Sequence, residues 1–465
     1  MKFRIEVVCI NDAGHEHRND VLEIERHQLA METLGMNLCE SKAMLESVQD
    51  FVAAQQTAED LQQRRHCPNC RARYTAKGGG RITVRTLFGA VQVANPRWNR
   101  CSCQPSGPKT FRPAAAWLRG TTSPELLYRE TKWASLISYA KVADLLREVL
   151  PADADDETIR RHVQATAEKM EKELGEELPL DLFQGEPDQE ELAPPDGPIT
   201  VGIDGGYVRA AHKEGFFEVI AGRSVVAFRR GAEDAVPESK CFGYVQTYDD
   251  KPRRRLLEVM RSQGLQDHQQ VIFMSDGGED VRRVQTYLHP HSEHWIDWFH
   301  ITMRITVLQQ QIKSLQGEAK PGNEAAGLPK RIDSVKHLLW HGNVAEALDR
   351  LDEMLLDLEF IGDWPAAEKL AAGLSEFEIY IRNNRDFIPN FEERYRHGET
   401  ISTAFVESTI NQVVSRRFVK KQSMQWTLRG AHLLLQTRTK VLNEELDDMF
   451  RRWYPQFRKE DKAAA

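Results

Sequence analysis

Val201-Gly-Ile-Asp-Gly-Gly-Tyr-Val208 is an apolar run that delivers one carboxylate, Asp204, into a Gly205-Gly206 pair that reads as a turn. Val271-Ile-Phe-Met-Ser-Asp-Gly-Gly278 repeats the layout downstream, with Asp276 at the exit and two glycines that let the backbone pass close to whatever the acid holds. Apolar runs this short read as strands buried on both faces. Ligand sites in open α/β sheets lie off strand ends, so Asp204 and Asp276 are expected to converge there.

The third acid is Glu407, in Ala404-Phe-Val-Glu-Ser-Thr-Ile-Asn-Gln-Val-Val-Ser415. Val406, Ile410, Val413 and Val414 fall on one helical face, with Glu407 at its edge, where it leans over a sheet on which its helix packs. Two aspartates on strands and a glutamate on a late helix make an all-oxygen, hard-ligand set suited to Mg²⁺ or Mn²⁺. The competing reading of each acid taken alone is a turn cap or a solvated side chain.

The order Asp204, Asp276, Asp297-Trp-Phe-His300, a long helical interval and then Glu407 resembles the DDE transposases of bacterial insertion sequences of the ISKra type. Those are distantly similar to Mutator-like transposases with their Asp/Cys-x-x-His element. Val406-Glu-Ser-Thr409, Ser423-Met-Gln-Trp426 and Lys132-Trp-Ala-Ser135 add to the resemblance, which runs over residues 60 to 440. It implies an RNase H-like core that cleaves and rejoins transposon-end DNA. Asp204, Asp276 and Glu407 would hold two Mg²⁺ or Mn²⁺ ions about 3.5 to 4 Å apart, one activating water or a DNA 3′-hydroxyl, the other stabilising the leaving oxygen. Partners would be double-stranded DNA and further copies of the chain assembled on it. Two other readings stay open: an RNase H-like nuclease or resolvase, and a non-catalytic DNA-binding regulator derived from a transposase.

With 465 residues, the chain is expected to form about two to four domains of α+β and α/β type. No stretch is apolar for long enough to suggest a membrane span, and the N-terminus lacks a signal-peptide pattern, so a cytoplasmic, nucleoid-associated location is expected. Seven cysteines in such a chain do not suggest a disulfide framework. The net charge of -8 is unevenly spread. Twelve Lys/Arg and no acid lie between Arg64 and Gly120, and seven Lys/Arg and no acid between Ser415 and Lys440. Such basic islands are the footprint of phosphate binding.

Residues 1–63 read as a β segment turning at Asn11-Asp-Ala-Gly14, then helices broken near Gly35, with Leu29, Leu34 and Leu38 supplying a packing or dimerisation stripe. Residues 64–118 hold Cys67-Pro-Asn-Cys70 and Cys101-Ser-Cys103, joined by an alternating hairpin over 81–93, which reads as a ribbon with one structural Zn²⁺. Two unrelated thiol pairs, or His66 in place of one thiolate, remain alternatives. Residues 119–185 give three helices. The first starts at Ser123-Pro124; the second is apolar at Val142, Leu145, Leu146 and Val149; the third is capped by Asp155-Asp156, with Ile159, Val163, Ala167 and Met170 inward and Arg160, Arg161, Gln164 and Lys169 outward. Helix, short turn and basic helix make a helix-turn-helix candidate, with Arg160 and Arg161 toward DNA.

Residues 186–198 read as an acidic, Pro-rich linker, 199–300 as the first part of the catalytic core, 301–400 as an all-helical insertion and 401–465 as the rest of the core with a C-terminal helix. Asp297 should end a fifth strand and His300 open the next helix, both orienting the site from behind the metal ligands. Arg416, Arg417, Lys420 and Lys421 precede Trp426, and basic residues with an aromatic suit DNA, the ring stacking on a base. The alternative is Trp426 as a core anchor.

Overall fold

The computed structural model describes residues 1–459 except 13, 105–106, 153–154, 177–196, 212–214, 227–237, 267–268, 279–291, 319–325, 362–364, 403 and 420–423. The expected linker at 186–198 therefore falls almost wholly outside the described residues, as do Lys420 and Lys421. The protein is mixed α+β and divides into two compact units, Met1–Ala167 with Glu444–Ala465, and Glu168–Asn443. No described helix is long and apolar enough to cross a membrane.

In the first unit, β1 (Lys2–Ile10) and β2 (Glu16–Glu25) form an antiparallel hairpin that packs on α1 (Leu38–Gln63). Asn37 caps α1: its side chain accepts the Glu40 N–H while the Glu40 carboxylate accepts the Asn37 N–H, both at 2.9 Å. The expected leucine stripe is not a core face: Leu29 and Leu34 lie in the irregular approach to α1 and are exposed. A second hairpin, β4 (Arg81–Thr86) with β5 (Gly89–Ala94), also packs on α1. Gly89 is needed there, because it has φ 113° and a Cβ would meet Glu46 Cγ at 3.1 Å.

Three helices follow, α2 (Pro124–Ala134), α3 (Tyr139–Val149) and α4 (Asp156–Leu174), the last of which passes into the second unit at Glu168. Ser123 caps α2 by accepting the Leu126 N–H, and the Asp155 carboxylate opens α4 by accepting the Thr158 N–H at 2.7 Å. Ile159, Val163, Ala167 and Met170 are buried as expected, and so is Gln164, which the helical pattern placed outside. In α3, Val142, Ala143 and Leu146 carry the buried face, whereas Leu145 and Val149 are exposed. A C-terminal helix, α13 (Leu446–Trp453), belongs to this unit and not to the core that precedes it. Its Phe450 meets the Tyr128 ring edge-on at 5.4 Å, and the Arg458 guanidinium lies 4.2 Å over the same ring.

The second unit is organised by a sheet of five described strands in the order β10-β9-β8-β11-β12. These are β8 (Ile199–Arg209), β9 (Phe216–Val226), β10 (Ser239–Val245), β11 (Val271–Ser275) and β12 (Glu293–Ile296). The first three strands form an antiparallel meander, and β11 and β12 run parallel to β8. The crossover helix α5 (Pro252–Arg261) buries Leu256, Leu257 and Met260 against Ile203, Phe242 and Phe273 on one face. Helix α11 (Ala404–Ile410), a π-helical continuation over Asn411–Val419, and α12 (Leu428–Leu442) pack on β8, β9 and β10. Between β12 and α11 lies an all-helical segment: α6 (Trp298–Glu318), α7 (Leu328–Trp340), α8 (Val344–Ile361), α9 (Pro365–Asn383) and α10 (Phe391–Arg396). These helices share one core running from Ile296 to Phe391.

Candidate active site and metal centre

Parallel pairing sets three acids level. Val271 lies opposite Ile199 and Met274 opposite Gly202, so two residues on the same register brings Asp276 level with Asp204. Ser275 lies opposite Ile296, so one residue on brings Asp276 level with Asp297. Asp204, Asp276 and Asp297 thus form one row across β8, β11 and β12.

The two Asp-Gly-Gly repeats are not equivalent, which corrects the reading of Gly205-Gly206 as a turn. Strand β8 continues through both glycines, Gly205 pairing with Ile220 and Gly206 with Val219, to Arg209. What Gly206 supplies is room: a Cβ there would meet Ile410 Cγ2 at 3.3 Å and Val414 Cγ1 at 3.6 Å. Strand alternation places Asp204 on the same face as Gly206. The helix bearing residue 407 therefore crosses on the face to which Asp204 points. Residue 407 precedes Ile410 by three positions on that helix; the Glu407 side chain is outside the described residues. The second repeat is a turn, with Gly277 at φ 96° and the Gly278 N–H donating to Asp276 Oδ1 at 3.1 Å.

Burial raises the Asp204 carboxyl above the ordinary aspartate range, the Gly205 N–H and His300 oppose that rise, and the nearby charges of Asp276 and Asp297 add to it. Asp297 is fully buried. Its Oδ1 accepts the Phe299 N–H at 2.7 Å, capping α6, and its Oδ2 lies 3.7 Å from His300 Nε2. The bond to Phe299 and the approach to His300 turn Asp297 toward the helix it starts, leaving Asp204 and Asp276 as the more available acids. The row is also open: among the described residues it does not close to within 4.8 Å as a ligand cluster does.

The four expected cysteines do close. Cys67 Sγ is 3.4 Å from Cys103 Sγ, Cys70 Sγ is 3.3 Å from Cys101 Sγ and 3.4 Å from Cys103 Sγ. A tetrahedral zinc ion with bonds near 2.3 Å separates its sulfurs by roughly 3.8 Å, so this donor set fits one Zn²⁺. The Cys70 amide, then that of Asn69, holds the Cys67 thiol down to about 6 against its burial. The hairpin at 81–94 does not build this site, contrary to expectation. The site sits beside β3 (Ala76–Gly78), β6 (Arg97–Asn99) and β7 (Thr110–Phe111), which form a separate sheet. Tyr74, Trp98 and Phe111 pack behind the sulfurs, with Phe111 edge-on to both other rings. Around it Arg71, Arg73, Lys77, Arg97 and Lys109 are exposed.

The residues expected to touch DNA divide. Arg161 and Arg416 are exposed, while Arg160 is half-buried and paired with Glu157 at 2.6 Å. Arg417 and Trp426 are corrected: both are buried, Trp426 packs on Phe418 at 4.9 Å and Arg417 lies 5.2 Å over the indole. A ring held this way anchors a core and does not present a face to a base.

One polar cluster had no signal in the sequence. Arg255, wholly inside the second unit, donates to Glu171 Oε1 and Asp249 Oδ2 at 2.9 Å and to Gln436 Oε1 at 2.6 Å, beside His432. Burial pushes the Glu171 carboxyl up, but His432 and Arg255 outweigh it and bring it down to about 2. Glu171, Asp249 and His432 have the spacing of a metal site. The guanidinium among them already supplies the positive charge, so the cluster is an ion network that, within the second unit, ties the last turn of α4 to α5 and α12. Its members come from separate segments, so periodicity could not reveal it.

No protein-family model and no curated protein matches this chain in the comparisons made.

Proposed function

We propose that the protein is a DDE transposase that binds the ends of an insertion sequence and catalyses metal-dependent DNA cleavage and strand transfer. One observation carries this reading: Asp204 on β8 stands level with Asp276 at the exit of the adjacent parallel strand β11, while the helix containing Glu407 crosses at Gly206 on the face of Asp204. The strand order β10-β9-β8-β11-β12, three antiparallel strands followed by two parallel ones, supports an RNase H-like core, and residues 298–396 supply its helical insertion.

Crowded carboxyls suit a divalent cation: the Asp204 carboxyl rises with burial and with the charges of Asp276 and Asp297, and a bound cation reverses that cost. Asp204, Asp276 and Glu407 would hold Mg²⁺ or Mn²⁺, which supplies Lewis acidity for in-line attack on a phosphodiester. Asp297 fixes the start of α6 and keeps His300 beside the row, where the imidazole offsets part of its negative charge. The exposed cations around the four cysteines, with Arg161 and Arg416, supply phosphate contacts that position duplex DNA.

Asp204→Asn, Asp276→Asn and Glu407→Gln each remove a metal ligand without removing a phosphate contact. Each is expected to abolish Mg²⁺-dependent cleavage and joining of labelled element ends while end binding stays within a few-fold. Substantial cutting by any one variant removes that residue from the site. Cutting without joining by the intact protein favours a nuclease, and end binding with neither activity favours a regulator.

A further inference from the structure

The turn after β11 is gripped from outside the sheet. Gly277 has φ 96°, and a Cβ on it would lie 2.6 Å from Asn384 Oδ1 and 3.0 Å from Ile296 Cδ1. Asn384 is 3% exposed and donates Nδ2–H to the Tyr380 carbonyl at 2.8 Å. The Tyr380 hydroxyl in turn donates to the main-chain carbonyl of Asp276 at 3.1 Å. Both residues stand at the end of α9, in the helical segment, and the Arg304 guanidinium covers the Tyr380 ring at 4.3 Å. On the strand side, Ser275 Oγ accepts the Gly277 N–H at 3.1 Å and lies 2.9 Å from His294 Nε2.

Glycine after Asp276 leaves the peptide between them able to rotate between two turn conformations, because residue 277 has no Cβ to forbid either. A hydroxyl bonded to the carbonyl of that peptide selects one. Asn384 packed where a Cβ would lie narrows the turn from the other side. With the main chain fixed on both sides of Asp276, its Cα–Cβ bond has one direction, and the bond from Gly278 N–H fixes its carboxylate.

We propose that Tyr380 and Asn384 are positioning residues for Asp276, through which the helical segment sets the affinity of the acid row for a divalent cation. The inference rests on the metal-site reading above. Its test is Mn²⁺ binding by the full chain without DNA, followed by electron paramagnetic resonance, together with the melting temperature and amide exchange over residues 271–278. Tyr380→Phe keeps the ring under Arg304 and removes one oxygen. Expected are an unchanged melting temperature, faster exchange at Gly277 and Gly278, and Mn²⁺ affinity weakened by about tenfold, the scale of losing a group that orients a ligand. Asn384→Ala should weaken Mn²⁺ binding in the same direction. Wild-type Mn²⁺ affinity in a well-folded Tyr380→Phe overturns the inference and leaves the functional reading intact. If the wild type itself binds no Mn²⁺, the functional reading falls and this inference with it.

Discussion

Asp204 is a residue whose charge the metal-free fold disfavours. Its proton is held more tightly in the folded than in the unfolded chain, because burial and two neighbouring carboxylates penalise the anion. A carboxyl raised in this way favours the folded state at low pH, and that contribution is lost as pH rises through the raised value. From about pH 4 upward the group therefore weighs against folding until a cation binds. Asp204→Asn keeps an oxygen for the Gly205 N–H and removes the charge. In EDTA at pH 7 it should melt above wild type, the difference closing toward pH 4, and added Mg²⁺ should raise the melting temperature of wild type only. A variant that melts below wild type in EDTA at pH 7 contradicts this account. Trp426 makes the opposite case of a residue whose surroundings are structural. Trp426→Ala should cost about 3 to 5 kcal/mol in denaturant unfolding, the range for deleting a buried large aromatic, and a loss of DNA affinity at full stability would restore the stacking role.

Among the elements, the ones with local signals were legible: the apolar runs of β8 and β11, the Ser123 cap of α2, the Asp155 cap of α4 and the two cysteine pairs. Elements whose reason lies elsewhere in the chain were not. Gly205-Gly206 resembles a turn because the cause of the glycine at 206, the side chains of Ile410 and Val414, arrives on a helix four described strands and six described helices later. The alignment of Asp297 with Asp276 needed the register of β12, although each acid follows an apolar run. Leu145 and Val149 fit a helical stripe, yet the buried face of α3 is rotated toward Ala143. The zinc knuckle carries its own prediction. Cys67 is fully buried against Tyr74 and Trp98, so a zinc ion held by the four cysteines would share one small module with that aromatic packing. Purified reduced protein should carry about one Zn²⁺ per chain, and Cys67→Ser should lose it along with order in residues 65–111, since metal affinity there is folding free energy. Elemental analysis showing no zinc in fresh protein ends the idea.

At the scale of the whole molecule, the cysteine ribbon and the helix-turn-helix candidate precede the linker at 186–198 and the three acids follow it, so a fragment of residues 1–185 is the piece in which DNA binding apart from chemistry is to be sought. The arrangement of the first unit changes the form of that test. Glu444–Ala465 is part of it, and α13 brings Phe450 and Arg458 to the two sides of Tyr128. A fragment ending at 185 leaves Tyr128 uncovered and should unfold at lower denaturant than the same segment within the full chain. Co-expressing residues 444–465 with it should restore part of the loss, as read by Tyr128-region amide protection. Equal stability with and without the C-terminal piece would show that the cover contributes nothing.

That shared unit also has a consequence during synthesis. Domains generally fold as they leave the ribosome, the N-terminal ones first. Here the N-terminal unit waits for the last helix, so Tyr128 stays bare while the entire second unit is being made. If the proposed function holds, a chain broken off early by a stop codon or a deletion would lack a finished N-terminal unit as well as Glu407, and would make a poor competitor for the ends that an intact copy has to find.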